Sequence, residues 1–130
     1  MSIEYIHRAN AGGGVTLAVE RTAGGMFEVG AAFCSPLERE FSRKKGRRIA
    51  LGRLRARRHG FVRTPVNGLR RLSDDPRAVG QVLSLLSSKA EVREDDFGER
   101  RRTVGPRWWR GFMVALHREQ RAAQRKQATA

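Results

Sequence analysis

The sequence contains a single cysteine, Cys34, among 130 residues, so it cannot form a disulfide within the chain. A lone cysteine favours a reducing compartment. No apolar run approaches the ~18 residues needed to cross a bilayer. The first residues also lack the basic-then-apolar pattern of a secretion signal. These absences predict a cytoplasmic protein that does not use a membrane as its partner.

Arrangements typical of catalysis or metal binding are also missing. The three histidines, His7, His59 and His117, have no metal-ligand spacing. Cys34 precedes a predicted helix, whose dipole can lower a thiol pKa, but the arginine that a phosphatase loop carries six positions later is Glu40 here. The glycines follow no phosphate-loop or dinucleotide pattern. We therefore predict no enzyme, cofactor or metal, and a buried Cys34 at a strand end.

Acidic residues and lysines are scarce. Thirteen Asp and Glu stand against 27 Lys and Arg, giving a formal net charge of +14, and only four of the cations are lysines. A strongly positive protein attracts polyanions, which predicts RNA or DNA as the partner. Arginine grips phosphate with two donors and stacks on bases. A GC-rich genome also enriches arginine and accounts for part of this ratio.

Alternating apolar residues predict three strands, at residues 3–8, 15–19 and 27–33, joined by glycine-containing loops. Loops of ~5–6 residues favour an antiparallel meander. Helical patterns follow the strands, an order typical of α+β folds. We predict a three-stranded antiparallel meander with helices packed on it, in one domain over residues 1–117. Residues 118–130 are predicted to form a basic, flexible tail.

Helix-capping residues predict where the helices begin. Residues 35–38, Ser-Pro-Leu-Glu, form a capping box that predicts a helix from Ser35 through the basic segment, with Gly46 as a candidate break. A short strand is predicted at 61–66, followed by an Asn67-Gly68 turn. Asp75-Pro76 opens a second helix.

A third helix follows Gly105-Pro106. Its apolar stripe has i, i+3, i+4 and i+7 spacing and consists of Trp109, Phe112, Met113 and Leu116.

The most informative segment for function covers residues 43–58. It holds nine cations and no acid: Arg43, Lys44, Lys45, Arg47, Arg48, Arg53, Arg55, Arg57 and Arg58. Like charges at i, i+3 and i+4 spacing repel one another, which favours a counter-charge outside the chain, such as phosphate. A solvated basic face, or pairing with the acidic stretch 91–99, are alternatives. The small residues within the segment favour close helix packing over close approach of a phosphate.

Three strands followed by a helix with a Ser-x-Lys-Lys entry resemble the double-stranded-RNA-binding domain. In that family a serine and paired lysines near the start of the last helix contact phosphates. The resemblance implies this role for Ser42, Lys44 and Lys45. This chain lacks the family's helix before the first strand, and its capping box lies well before Ser42, so the likeness is one of architecture.

Residues 31–54, AAFCSPLEREFSRKKGRRIALGRL, resemble a stretch of small proteins of tailed phages and prophages. The resemblance implies a viral or mobile-element origin and carries no established activity. It also implies that Cys34, Ser35, Pro36, Phe41 and Arg47 belong to one structural unit.

Two adjacent tryptophans lie between Arg107 and Arg110. Bases stack on indole rings for ~1–3 kcal/mol each. Trp109 lies on the apolar stripe and is predicted to be core. Trp108 lies beside the stripe, where base stacking and packing are equally expected.

The leading hypothesis is a non-enzymatic nucleic-acid-binding protein, with the nine cations and Trp108 as its site. RNA is slightly favoured over DNA, because no helix-turn-helix or zinc pattern is present. One alternative is a phage-type regulatory protein that docks on a host machine such as RNA polymerase through residues 108–116. Another is a small basic subunit of a ribonucleoprotein. The oligomeric state stays open.

Overall fold

The computed structural model describes residues 2–34, 43–57, 60–88, 92–94, 100–102 and 109–129. These residues form six strands and three helices. The strands are β1 (Glu4–Asn10), β2 (Gly13–Arg21), β3 (Met26–Cys34), β4 (Phe61–Pro65), β5 (Val92–Glu94) and β6 (Arg100–Arg102). The helices are α1 (Arg43–Ala56), α2 (Pro76–Ser88) and α3 (Trp109–Thr129), and a short 3-10 helix (Leu72–Asp74) precedes α2.

The main sheet has four antiparallel strands in the order β1-β2-β3-β4, so the predicted three-stranded meander was wrong by one strand. The α+β class is confirmed. The fourth strand is the short one predicted at 61–66, which pairs with β3 because Val62 and Thr64 alternate into the core. Since α1 lies between β3 and β4 in the chain, the strands do not all precede the helices.

The larger core lies on one face of this sheet. Alternate residues of β2 and β3, including Leu17 and Val29, point to this face and are fully buried. They pack against α2 through Val82 and Leu86, and against α3 through Phe112. Asn10 holds α3 in place, because its side-chain amide donates to the Phe112 carbonyl at 3.2 Å. The sheet is therefore covered by α2 and α3 on one side.

The second face carries α1 and a smaller core. Ala18 and Ala32 from the strands pack against Ala50 and Leu54 from the helix. The three alanines are small, so the helix axis lies close to the sheet. The helix runs without interruption through Gly46 to Ala56, and the candidate break at Gly46 is absent.

The turn and cap predictions that fall on described residues are confirmed. Asn67 and Gly68 both have positive φ, 50° and 78°, and the Leu69 amide donates to the Val66 carbonyl. The Asp75 carboxylate caps α2 by accepting from the Arg77 amide at 3.0 Å. The predicted cap at Ser35 lies outside the described residues.

The last helix is longer than its apolar stripe. It continues to Thr129, so the segment predicted as a tail is helical in the structure, with residues 117–126 exposed. The predicted division at residue 117 stays a prediction. None of the described helices is long and apolar enough to span a bilayer.

Candidate nucleic-acid interface

Two glycines set the position of α1 on the sheet. A Cβ at Gly46 would lie 2.5 Å from the Thr16 hydroxyl oxygen of β2. A Cβ at Gly30 of β3 would lie 2.3 Å from the Ala50 carbonyl oxygen and 2.4 Å from the Leu54 amide nitrogen. Neither gap leaves room for a methyl group. The helix therefore crosses from β2 to β3 at the closest approach the backbone allows. This supports helix packing as the role of Gly46 and Ala50, whereas Gly52 and Ala56, the other small residues of the segment, are exposed.

This placement leaves the first two turns of α1 facing solvent with a dense positive charge. Five cations within six residues are exposed, and we call them the α1 cation cluster: Arg43, Lys44, Lys45, Arg47 and Arg48. Six helical residues span about 9 Å. No acidic residue interrupts the described part of α1. The cluster is therefore a compact cationic surface.

Arg53 belongs to the packing of α1 rather than to this surface. Its Nη1 donates to the Ala31 carbonyl at 2.8 Å, and its guanidinium lies 5.8 Å from the centre of the Phe33 ring. Ala31 is the first residue of β3 after the segment that pairs with β4. Arg53 therefore donates to a carbonyl oxygen that β4 does not reach. Burial lowers the pKa of the guanidinium.

Two buried glutamates hold the C-terminal cations of the segment. Glu20 and Glu28 lie directly opposite each other in the β2–β3 register and are 8% and 6% exposed. Arg55 pairs with Glu20 at 2.9 Å, and Arg57 pairs with Glu28 at 3.3 Å. Arg63 of β4 also pairs with Glu28, at 3.0 Å. Facing carboxylates repel each other, so these arginines neutralise a pair that the sheet itself brings together.

We expect Arg53→Gln to lower stability without lowering nucleic-acid affinity per folded molecule. The variant loses a charged hydrogen bond to a backbone oxygen, which costs about 1–2 kcal/mol. Chemical denaturation monitored by tryptophan fluorescence measures the stability loss. A variant that is as stable as the parent but binds nucleic acid weakly would indicate that Arg53 belongs to the binding surface.

The start of the α1 cation cluster lies above His7 of β1. The Nδ1 atom of His7 lies 2.9 Å from the Thr16 hydroxyl oxygen, directly beneath Gly46. Partial burial lowers the pKa of His7, and the nearby charges of Arg43, Arg47 and Arg8 lower it further. Arg47 also lies over the Tyr5 ring, with its guanidinium carbon 5.9 Å from the ring centre. These contacts make the cluster continuous with the edge of the sheet.

Other predicted site residues are not placed by the structure. Arg58 and Trp108 lie outside the described residues, as do Ser42, Glu91 and residues 95–99. Trp109 is the first residue of α3, and its side chain is not among those described. Cys34 is the last residue of β3, as predicted, and is partly rather than fully buried.

No family model, curated protein or solved structure matches this chain. Within the described part of the chain, no group of three or more His, Cys, Asp or Glu side chains is placed to hold a metal ion.

Sequence reasoning treated the nine cations as one surface, whereas the structure divides them. The five at the start of α1 are exposed, and so are Arg55 and Arg57, but Arg53, Arg55 and Arg57 have partners on the sheet. One sequence signal could have indicated this division. The Arg21–Gly25 loop sets the β2–β3 register, and that register places Glu20 opposite Glu28, where the two carboxylates need cationic partners.

Proposed function

We propose that this protein is a non-enzymatic nucleic-acid-binding protein whose principal contact surface is the α1 cation cluster. One observation carries the proposal. In the described residues, internal carboxylates pair with arginines at the end of α1 and in β4, while Arg43, Lys44, Arg47 and Arg48 at its start show no ion pair. A concentrated positive charge whose arginines and Lys44 pair with no carboxylate of the described residues suits a polyanion.

The size of the cluster limits what it can recognise. About 9 Å of helix reaches a few neighbouring phosphates rather than a long track. Lysine and arginine contacts with phosphates fix position and contribute affinity, but they do not read sequence. The proposed binding is therefore sequence-tolerant. From the sequence we also propose that RNA is slightly favoured over DNA and that binding takes place inside the cell.

The salt dependence of affinity tests this proposal. If each cluster cation meets one phosphate, log affinity for duplex DNA falls with log salt at a slope of about −4.5. Raising salt from ~50 to ~200 mM then weakens binding about 500-fold. Fluorescence anisotropy with a labelled duplex measures the slope, and an RNA duplex of the same sequence gives the preference between nucleic acids. A slope near zero would exclude phosphates as the partner.

A groove between α2 and α3 supports the second candidate, a phage-type regulatory protein that docks on a host machine. We call it the α2–α3 groove; its volume is about 1000 Å³, and its lining includes Leu85, Met113, Leu116, His117 and Gln120. Leu85 is 38% exposed and adds apolar surface to this groove. Residues 113 and 116 belong to the docking segment expected from the sequence, so this groove is the place to look for a protein partner.

A further inference from the structure

His7 of β1 lies beside the start of α1, so a phosphate bound there would be next to its imidazole. Arg43 and Arg47 are one turn apart on the helix, and both act electrostatically on His7. The close approach at Gly46 places this part of the helix over Thr16, to which His7 is hydrogen-bonded at 2.9 Å. Two guanidinium groups and an imidazole thus lie together at the β1 edge of the sheet, and the buried Thr16 hydroxyl orients the imidazole from below.

We propose that this convergence is a phosphodiester subsite at which binding of nucleic acid is coupled to uptake of one proton by His7. The inference rests on the proposed function, because it concerns the same cation cluster. It adds a specific phosphate position and a pH dependence, which phosphate contacts made by lysine and arginine alone would not have.

The electrostatics of the free protein favour the neutral imidazole. Partial burial is the largest cause of the lowered pKa of His7, and Arg43, Arg47 and Arg8 each lower it further. Among the described residues, the charged groups that lower this pKa are these three cations. Thr16 of β2, which is hydrogen-bonded to His7, carries no charge.

A phosphate reverses this balance. Its negative charge offsets the guanidinium charges and attracts a protonated imidazole, so the pKa of His7 is higher in the complex than in the free protein. By linkage, the complex then binds more protons than the free protein in the window between the two pKa values. Affinity therefore rises as pH falls through that window and levels off below it.

The test measures affinity for an RNA duplex with hydroxyl ends, so that no phosphomonoester titrates. At constant salt we expect threefold to tenfold tighter binding at about pH 5.5 than at about pH 7.5. His7→Gln keeps a polar side chain and should bind equally at both pH values. His117→Gln, an exposed control on α3, should keep the pH dependence of the parent.

A second measurement needs no variant. The proton NMR titration of the imidazole, with and without the RNA duplex, gives the protonation of His7 directly. We expect its midpoint to move to higher pH in the complex. An unchanged midpoint, a pH-independent affinity, or a pH dependence that survives His7→Gln would overturn the coupling and leave the proposed function standing. Absence of binding at both pH values would instead refute the proposed function.

Discussion

Replacing all five residues of the α1 cation cluster with glutamine lowers affinity for duplex nucleic acid by at least about a hundredfold at ~50 mM salt. The expected cause is the loss of counterion release, so the salt slope flattens at the same time. Glutamine has nearly the helix propensity of lysine and arginine. Removing repulsive pairs at i, i+3 and i+4 spacing should leave the helix as stable as before or slightly more stable.

The matched control removes the same number of charges elsewhere. Exposed cations of α2, α3 and the segment before α2 supply it: Arg70, Arg77, Arg118, Arg121 and Arg125, each changed to glutamine. Both variants lose five charges from a net +14, so a general effect of net charge would weaken them equally. Equal losses, or a larger loss in the control, would contradict the assignment of the interface to α1.

The largest expected effect on folding comes from Gly30→Ala, at about 3 kcal/mol. The added methyl group meets backbone atoms of Ala50 and Leu54 closer than 2.5 Å, so α1 has to move away from the sheet. A side chain could rotate away from such a contact, whereas helix backbone cannot. We expect the melting temperature to fall by about 10 °C or more, as measured by circular dichroism.

Gly52→Ala is the control for this substitution. Gly52 is an exposed position of the same helix, with no atom within 4 Å of the added Cβ. Alanine there should stabilise the helix by about 0.5–1 kcal/mol. If Gly30→Ala melts at the same temperature as the parent, α1 does not lie on β3 as described.

Local patterns in the sequence predicted much of the fold. Strict alternation found β1, β2 and β3, and the Asp75-Pro76 cap found the start of α2 because its chemistry depends only on neighbouring residues. The position of β4 in the sheet was not predictable in this way. This strand has only five residues. Its place in the sheet depends on pairing with β3, from which α1 separates it in the chain, and local sequence patterns do not show such a long-range contact.

The sequence predicted which segment carries the basic residues, but not which of them have partners within the fold. Charge density identified the basic segment, since that is a property of the sequence alone. Which cations have partners within the fold depends on the groups that the sheet presents beneath them. Glu20 and Glu28 engage the end of the helix, and the Ala31 carbonyl engages Arg53. His7 was seen only as an isolated histidine, because its proximity to Arg43 arises from the packing of α1 on β1 and β2.

The most direct test of the central claim is a residue-by-residue NMR titration of the full chain with an unlabelled RNA duplex at ~50 mM salt, where phosphate contacts are strong. We expect the largest amide shift changes in residues 43–48, with smaller changes at His7 and Thr16 and none in the α2–α3 groove. Changes confined to that groove, or no changes at any residue, would contradict it.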